Sequence, residues 1–167
     1  MAHTLAQLNA AAPADAVAML DGLYGHAPWI AERALGHRPF RSLADLAQRL
    51  RRAVNEADAD ARTALLRAHP ELAAGTPRNA DSAREQDLAG LAACTPAELA
   101  RLQALNADYG ARFGFPFVLA VRGPRGAGMT RQQVIDEFTR RLDNPPDLEF
   151  EEAQQQLHRI AEIRLRD

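Results

Sequence analysis

The sequence contains no lysine; all 20 of its basic residues are arginine. Without a lysine amine a side chain cannot form a Schiff base, anchor pyridoxal phosphate or complete a P-loop. Any chemistry therefore falls to histidine, carboxylate, arginine or backbone groups. Cysteine is almost as scarce. Cys94 stands alone, which excludes an internal disulfide and a cysteine-rich metal site and fits a reducing compartment. The net charge of −2 gives the chain no general attraction to phosphate backbones, so no nucleic-acid partner is expected. No apolar run approaches bilayer-spanning length, and no membrane partner is expected. Met1-Ala2-His3-Thr4 lacks the basic start and apolar core of a secretory signal. The expected compartment is the cytoplasm.

What is present reads as an ordinary globular chain. With 167 residues, 47% hydrophobic and 25% charged, it has room for one domain over 1–167 that buries a core without a disulfide or metal staple. Helix signals recur along its length and strand signals are nearly absent. The first helix is expected to start near Pro13 with Val17, Leu20, Leu23 and Tyr24 on one face, and a short one to begin at Pro28. Ser42 with Asp45 opens a longer helix, and the next ends where Pro70 biases His69 away from helical backbone. After a loop over 73–81, Ser82 with Glu85 opens another. Thr95-Pro96-Ala97-Glu98 and Thr130 with Gln133 mark two more, and the last is expected from Leu148. The apolar run 115–121 has no ladder partner, which leaves a buried extended segment or a proline-broken helical turn. The expected fold is all-α, a single-domain bundle of about seven or eight helices.

Several motifs carry no chemistry. Gly123-Pro124-Arg125-Gly126-Ala127-Gly128 resembles a phosphate loop but follows no strand. The histidines His3, His26, His37, His69 and His158 show neither i,i+4 pairing nor cysteine partners, so no metal site is expected. His69 is different. Arg67-Ala68-His69-Pro70-Glu71-Leu72 places an imidazole at a helix C-terminus, where the dipole favours the protonated ring. It either caps the last turn or donates a proton. Ser82 and Glu85 satisfy a capping box, while Gln86 adds a donor and an acceptor at a helix start that a ureido-like ligand would match. Phe113-Gly114-Phe115-Pro116-Phe117 holds three of the six phenylalanines. It reads as core packing, or as non-helical backbone whose peptide groups meet a heterocycle. Arg164 either clamps a carboxylate or complements its helix dipole.

Taken in order, His-Pro-Glu-Leu-Ala from His69, Ser-x-x-Glu-Gln from Ser82, and Leu-Asn-Ala-x-Tyr-x-x-Arg-Phe-Gly-Phe-Pro-Phe-Val from Leu105 resemble the family of 2-oxo-4-hydroxy-4-carboxy-5-ureidoimidazoline (OHCU) decarboxylases of uric acid degradation. Leu8-Asn9, His26 to Arg33 and Ile163-Arg164-Leu165 extend the likeness over nearly the whole chain. The resemblance implies an all-α enzyme, a homodimer without metal or organic cofactor, that converts the ureidoimidazoline to (S)-allantoin and carbon dioxide. It implies catalytic roles for His69, as proton donor, and Glu85, which with Gln86 holds the ureido and ring groups. Pro70, Ser82 and the backbone of Phe117, Val118, Leu119, Ala120 and Val121 would complete the pocket, and Arg164 would meet a carboxylate. Two departures stand out: a short connection from Pro70 to Ser82, and Glu71 where aspartate is common. The reading from another class is a non-catalytic ligand-sensing or protein-interaction module on the same scaffold.

Overall fold

The computed structural model describes residues 3–72, 94–122 and 128–167. Among them are eight helices: α1 (Leu5–Ala10), α2 (Pro13–Met19), α3 (Pro28–Leu35), α4 (Leu43–Asn55), α5 (Ala59–Arg67), α6 (Pro96–Phe113), α7 (Arg131–Leu142) and α8 (Pro146–Arg166). Among the described residues there is no strand, only isolated bridges such as Arg122 with Gly128. The protein is all-α, as the helix signals require. No described helix is long and apolar enough to cross a membrane.

The helix starts follow their capping chemistry. Thr95 and Glu98 form a reciprocal box at α6, and Thr130 and Gln133 another at α7. At α4 the Ser42 hydroxyl accepts from the Asp45 amide, but the Asp45 carboxylate turns to the Arg41 amide instead of Ser42. Three expectations need correction. A six-residue helix, α1, precedes the one at Pro13, with Thr4 and Gln7 as its box. In addition, α2 stops at Met19, short of Leu23 and Tyr24, because Gly22 and Gly25 take φ of 86° and 70°, backbone that glycine adopts without a Cβ clash. α8 starts at Pro146, ahead of the expected Leu148, since proline suits the first helical position, where no amide bond is lost.

The chain divides into two compact units, Met1–Leu65 with His158–Asp167, and Leu66–Leu157. In the first, α3 packs on α2 and α4, burying Ile30, Ala34, Leu46 and Leu50. Arg38 Nη1 donates to the carbonyls of Leu8 at 3.1 Å and Ala11 at 2.7 Å, which satisfies acceptors left open where α1 ends. In the second, α6 packs on α7 around the fully buried Tyr109. Its ring meets Phe113, Phe115, Phe117 and Phe138 at centroid distances of 4.6, 5.9, 5.4 and 5.7 Å. Most of the aromatic content is thus spent on one cluster.

Candidate active site

α5 ends at Arg67, and the His69 amide reaches back to the Leu66 carbonyl at 3.1 Å in a last tight turn. Pro70 then forbids helical continuation. His69 and Pro70 are half-buried, and Leu72 is buried. Two side chains hold the link that bears the imidazole. Before it, Arg67 Nε donates to the Gly114 carbonyl at 3.0 Å. After it, Asn106 Nδ2 on α6 donates to the Leu72 carbonyl at 2.9 Å. Asn106 is buried, and its Oδ1 has no partner among the described residues. An unmet buried acceptor costs about 1–3 kcal/mol.

Gly114 closes α6 with φ 78° and turns the chain into 115–121. This stretch is non-helical and unpaired as a strand, so the extended-segment reading holds. Phe117, Val118, Leu119 and Val121 are buried and Ala120 is partly so. Buried peptide groups need partners, and side chains supply several. Arg141 Nη1 donates to the Val118 carbonyl at 2.5 Å, and the Ala120 amide donates to Gln156 Oε1 at 3.0 Å. The Val121 carbonyl accepts from the Met129 amide at 2.7 Å. Among the described residues nothing bonds the amide or carbonyl of Leu119.

Arg141 itself is held by an ion pair. Its Nε and Nη2 donate to Glu149 Oε1 at 2.8 and 2.5 Å, both residues having no solvent exposure. The Tyr109 hydroxyl donates to the same oxygen at 2.5 Å, and Asn144 Nδ2 to the other at 2.9 Å. Burial, then the hydrogen bond to Glu149 and its charge, push the Tyr109 hydroxyl far above its ordinary range, so it stays a donor. The guanidinium carbon of Arg141 lies 4.4 Å from the Phe117 ring centroid, and Phe117 stacks on Phe138 at 3.8 Å. The extended segment is therefore fixed by backbone, charge and ring contacts together.

Of the sequence-derived site residues, His69, Pro70 and Phe117 through Val121 fall in one unit. Arg164 falls in the other, where it is buried and its Nη1 donates to the Gly22 carbonyl at 2.8 Å. Ser82, Glu85 and Gln86 lie outside the described residues, as does most of the glycine-rich loop. Among the described residues no three of His, Cys, Asp and Glu gather as metal ligands. Arg67, Asn106, Arg141 and Glu149 were missed as parts of this framework. Two left a signal, since Asn106 interrupts the stripe of Leu102, Leu105 and Tyr109, and Glu149 shares a face with Ala153.

Comparison with known proteins extends the likeness. The sequence model of the OHCU decarboxylase family matches residues 9–166. The 2-oxo-4-hydroxy-4-carboxy-5-ureidoimidazoline decarboxylase of Haloferax volcanii is 37% identical over 162 residues, which cover 97% of this chain and 94% of that protein. The uric acid degradation bifunctional protein PucL of Bacillus subtilis is 38% identical over 148 residues, but the chain spans only 29% of its length. A crystal structure of (S)-allantoin synthase superposes with a TM-score of 0.78 at 30% identity, covering 97% of this chain and 52% of that one. A family match over nearly the whole sequence, joined to a relative of similar length at this identity, establishes that the chain belongs to the OHCU decarboxylase family.

Proposed function

We propose that this chain decarboxylates 2-oxo-4-hydroxy-4-carboxy-5-ureidoimidazoline to (S)-allantoin in uric acid degradation, with His69 as the proton donor. The observation that carries this reading is the half-buried His69, set on a link tied at both ends to α6 and its terminal Gly114, in a chain that matches the decarboxylase family from 9 to 166.

The chemistry asks for little beyond placement. The bond from the ring carbon to the carboxylate breaks and carbon dioxide leaves. The electron pair left behind spreads through the adjoining ring C=N as an enol. The ring nitrogen takes up one proton, a second goes to the ureido-bearing carbon, and the enol hydroxyl gives one up as it becomes the ring carbonyl, so one proton net is consumed per carbon dioxide released. A single fixed acid delivers that proton to one face, which makes the product one enantiomer. A histidine at a helix C-terminus suits the task, since the dipole stabilises the imidazolium that must be present before transfer. Glu85 and Gln86 hold the ureido and ring groups, Ser82, Pro70 and the backbone of Phe117 to Val121 complete the pocket, and Arg164 meets a carboxylate. The protein is a single domain over 1–167, works as a cytoplasmic homodimer and needs no metal or organic cofactor, because the substrate's own C=N accepts the electrons.

The test generates the ureidoimidazoline in solution from urate and follows its optical decay and the sign of the allantoin circular dichroism. Wild-type protein accelerates the decay and yields dextrorotatory product. His69→Ala lowers turnover by roughly two orders of magnitude or more with its melting temperature unchanged. Wild-type turnover in that variant removes His69 from the mechanism. No acceleration by the wild type would leave the scaffold as a ligand-binding or protein-interaction module.

A further inference from the structure

The buried face of α6 is apolar except at one place. Leu102, Leu105 and Tyr109 pack into the core, and between them Asn106 is 7% exposed. Its donor Nδ2 has a partner, the Leu72 carbonyl at 2.9 Å, and its acceptor Oδ1 has none among the described residues. An amide in an apolar stripe whose acceptor meets no described residue is a poor choice for packing. What the residue does achieve is the bond to Leu72, three positions after His69. On the other side, Arg67, two positions before His69, bonds the Gly114 carbonyl at 3.0 Å from an exposed position. Both bonds end on α6 or on the residue that caps it. The intervening residues are short and stiffened by Pro70, so fixing their two flanks fixes the Cα of His69 and the direction of its side chain.

We propose that Asn106 and Arg67 are positioning residues for His69, a pair of ties that hold the imidazole where proton delivery requires it. This rests on the reading of His69 as the acid. Neither residue need touch the substrate. Their effect is on geometry, and misplacing a reacting group by about 1 Å costs on the order of a hundredfold in rate.

The experiment compares Asn106→Leu, which keeps size and removes the donor, with Arg67→Met, which removes a surface guanidinium, alone and with His69→Ala. Asn106→Leu lowers kcat by about ten- to a hundredfold while KM changes less than about threefold. Arg67→Met lowers kcat several-fold. Neither substitution slows the His69→Ala protein further, and each moves the His69 ring proton resonances in NMR spectra of the folded protein. A merely structural role predicts instead a lower melting temperature with kcat intact, or kcat losses that multiply those of His69→Ala, in either case with an unmoved His69 signal; either pattern overturns the proposal. Should Asn106→Leu fail to fold, Arg67→Met decides on the same readouts. If His69→Ala is as fast as wild type, the proton-donor reading has failed. If His69→Ala is slow but both tie variants run at full speed, only the positioning claim has failed.

Discussion

Asn55 determines which nitrogen of His158 carries the proton. Its Oδ1 only accepts, so Nε2 at 3.1 Å is the protonated nitrogen, and Nδ1 accepts from the Tyr24 hydroxyl at 2.7 Å. The neutral ring thus has both nitrogens engaged. Burial first, then the charge of Arg51, against a smaller pull from Glu162, lower its pKa from the ordinary 6.5 to about 4. Between those values the unfolded chain takes up a proton that the native protein refuses. Native stability is therefore undiminished above pH 6.5 and falls as the pH drops toward 4, by about 3 kcal/mol for this one group. His158→Gln retains a donor and an acceptor but cannot titrate. Thermal melts at pH 7 and pH 4.5 are expected to show a smaller acid loss in His158→Gln than in wild type. Equal losses would assign the acid sensitivity to the carboxylates.

At the scale of elements, Gly114 joins the longest apolar-faced helix before the site to the extended segment that follows. A Cβ there meets nothing closer than Arg67 Nη2 at 3.8 Å, so space is no obstacle; φ of 78° is. Gly114→Ala is expected to cost about 1–2 kcal/mol in denaturant unfolding, through backbone strain alone. Gly114→Asn, whose side chain tolerates left-handed backbone, recovers part of that. A loss as large in Asn as in Ala would point to the Arg67 contact instead. The same element shows what local chemistry reveals. Thr95 with Glu98 and Thr130 with Gln133 announce their helix starts in the sequence because a cap is a bond between residues three or four apart. α1 carries the same Thr-x-x-Gln box at Thr4 and Gln7, yet six residues are too few for periodicity to confirm it. The overrun of α2 has the opposite cause, for Leu20, Leu23 and Tyr24 keep helical spacing across a turn that Gly22 breaks.

Contacts between distant positions decide the rest, and spacing is blind to them. His69 with Pro70 was legible as a rigid imidazole, but the bonds from Arg67 and Asn106 that hold it join residues 47 and 34 positions apart. Arg141 and Glu149 are only eight positions apart, but they lie on different helices, α7 and α8, so the periodicity of neither helix shows that they pair. Removing one member of a buried pair leaves an uncompensated charge and costs about 3–5 kcal/mol, a large share of the 5–15 kcal/mol that holds a native protein together. The two removals strand different partners. In Arg141→Met the Glu149 carboxylate keeps the bonds from Tyr109 and Asn144, while the Val118 carbonyl loses its donor. In Glu149→Gln the guanidinium keeps the Val118 carbonyl but loses its counter-charge, and arginine stays charged in proteins. Urea unfolding at pH 7 is expected to find both single variants less stable than wild type, and the double variant Arg141→Met with Glu149→Gln less destabilised than the two single losses added together, because it leaves no buried charge unpaired. A double-variant deficit equal to that sum would mean that the pair is held by packing rather than by its charges.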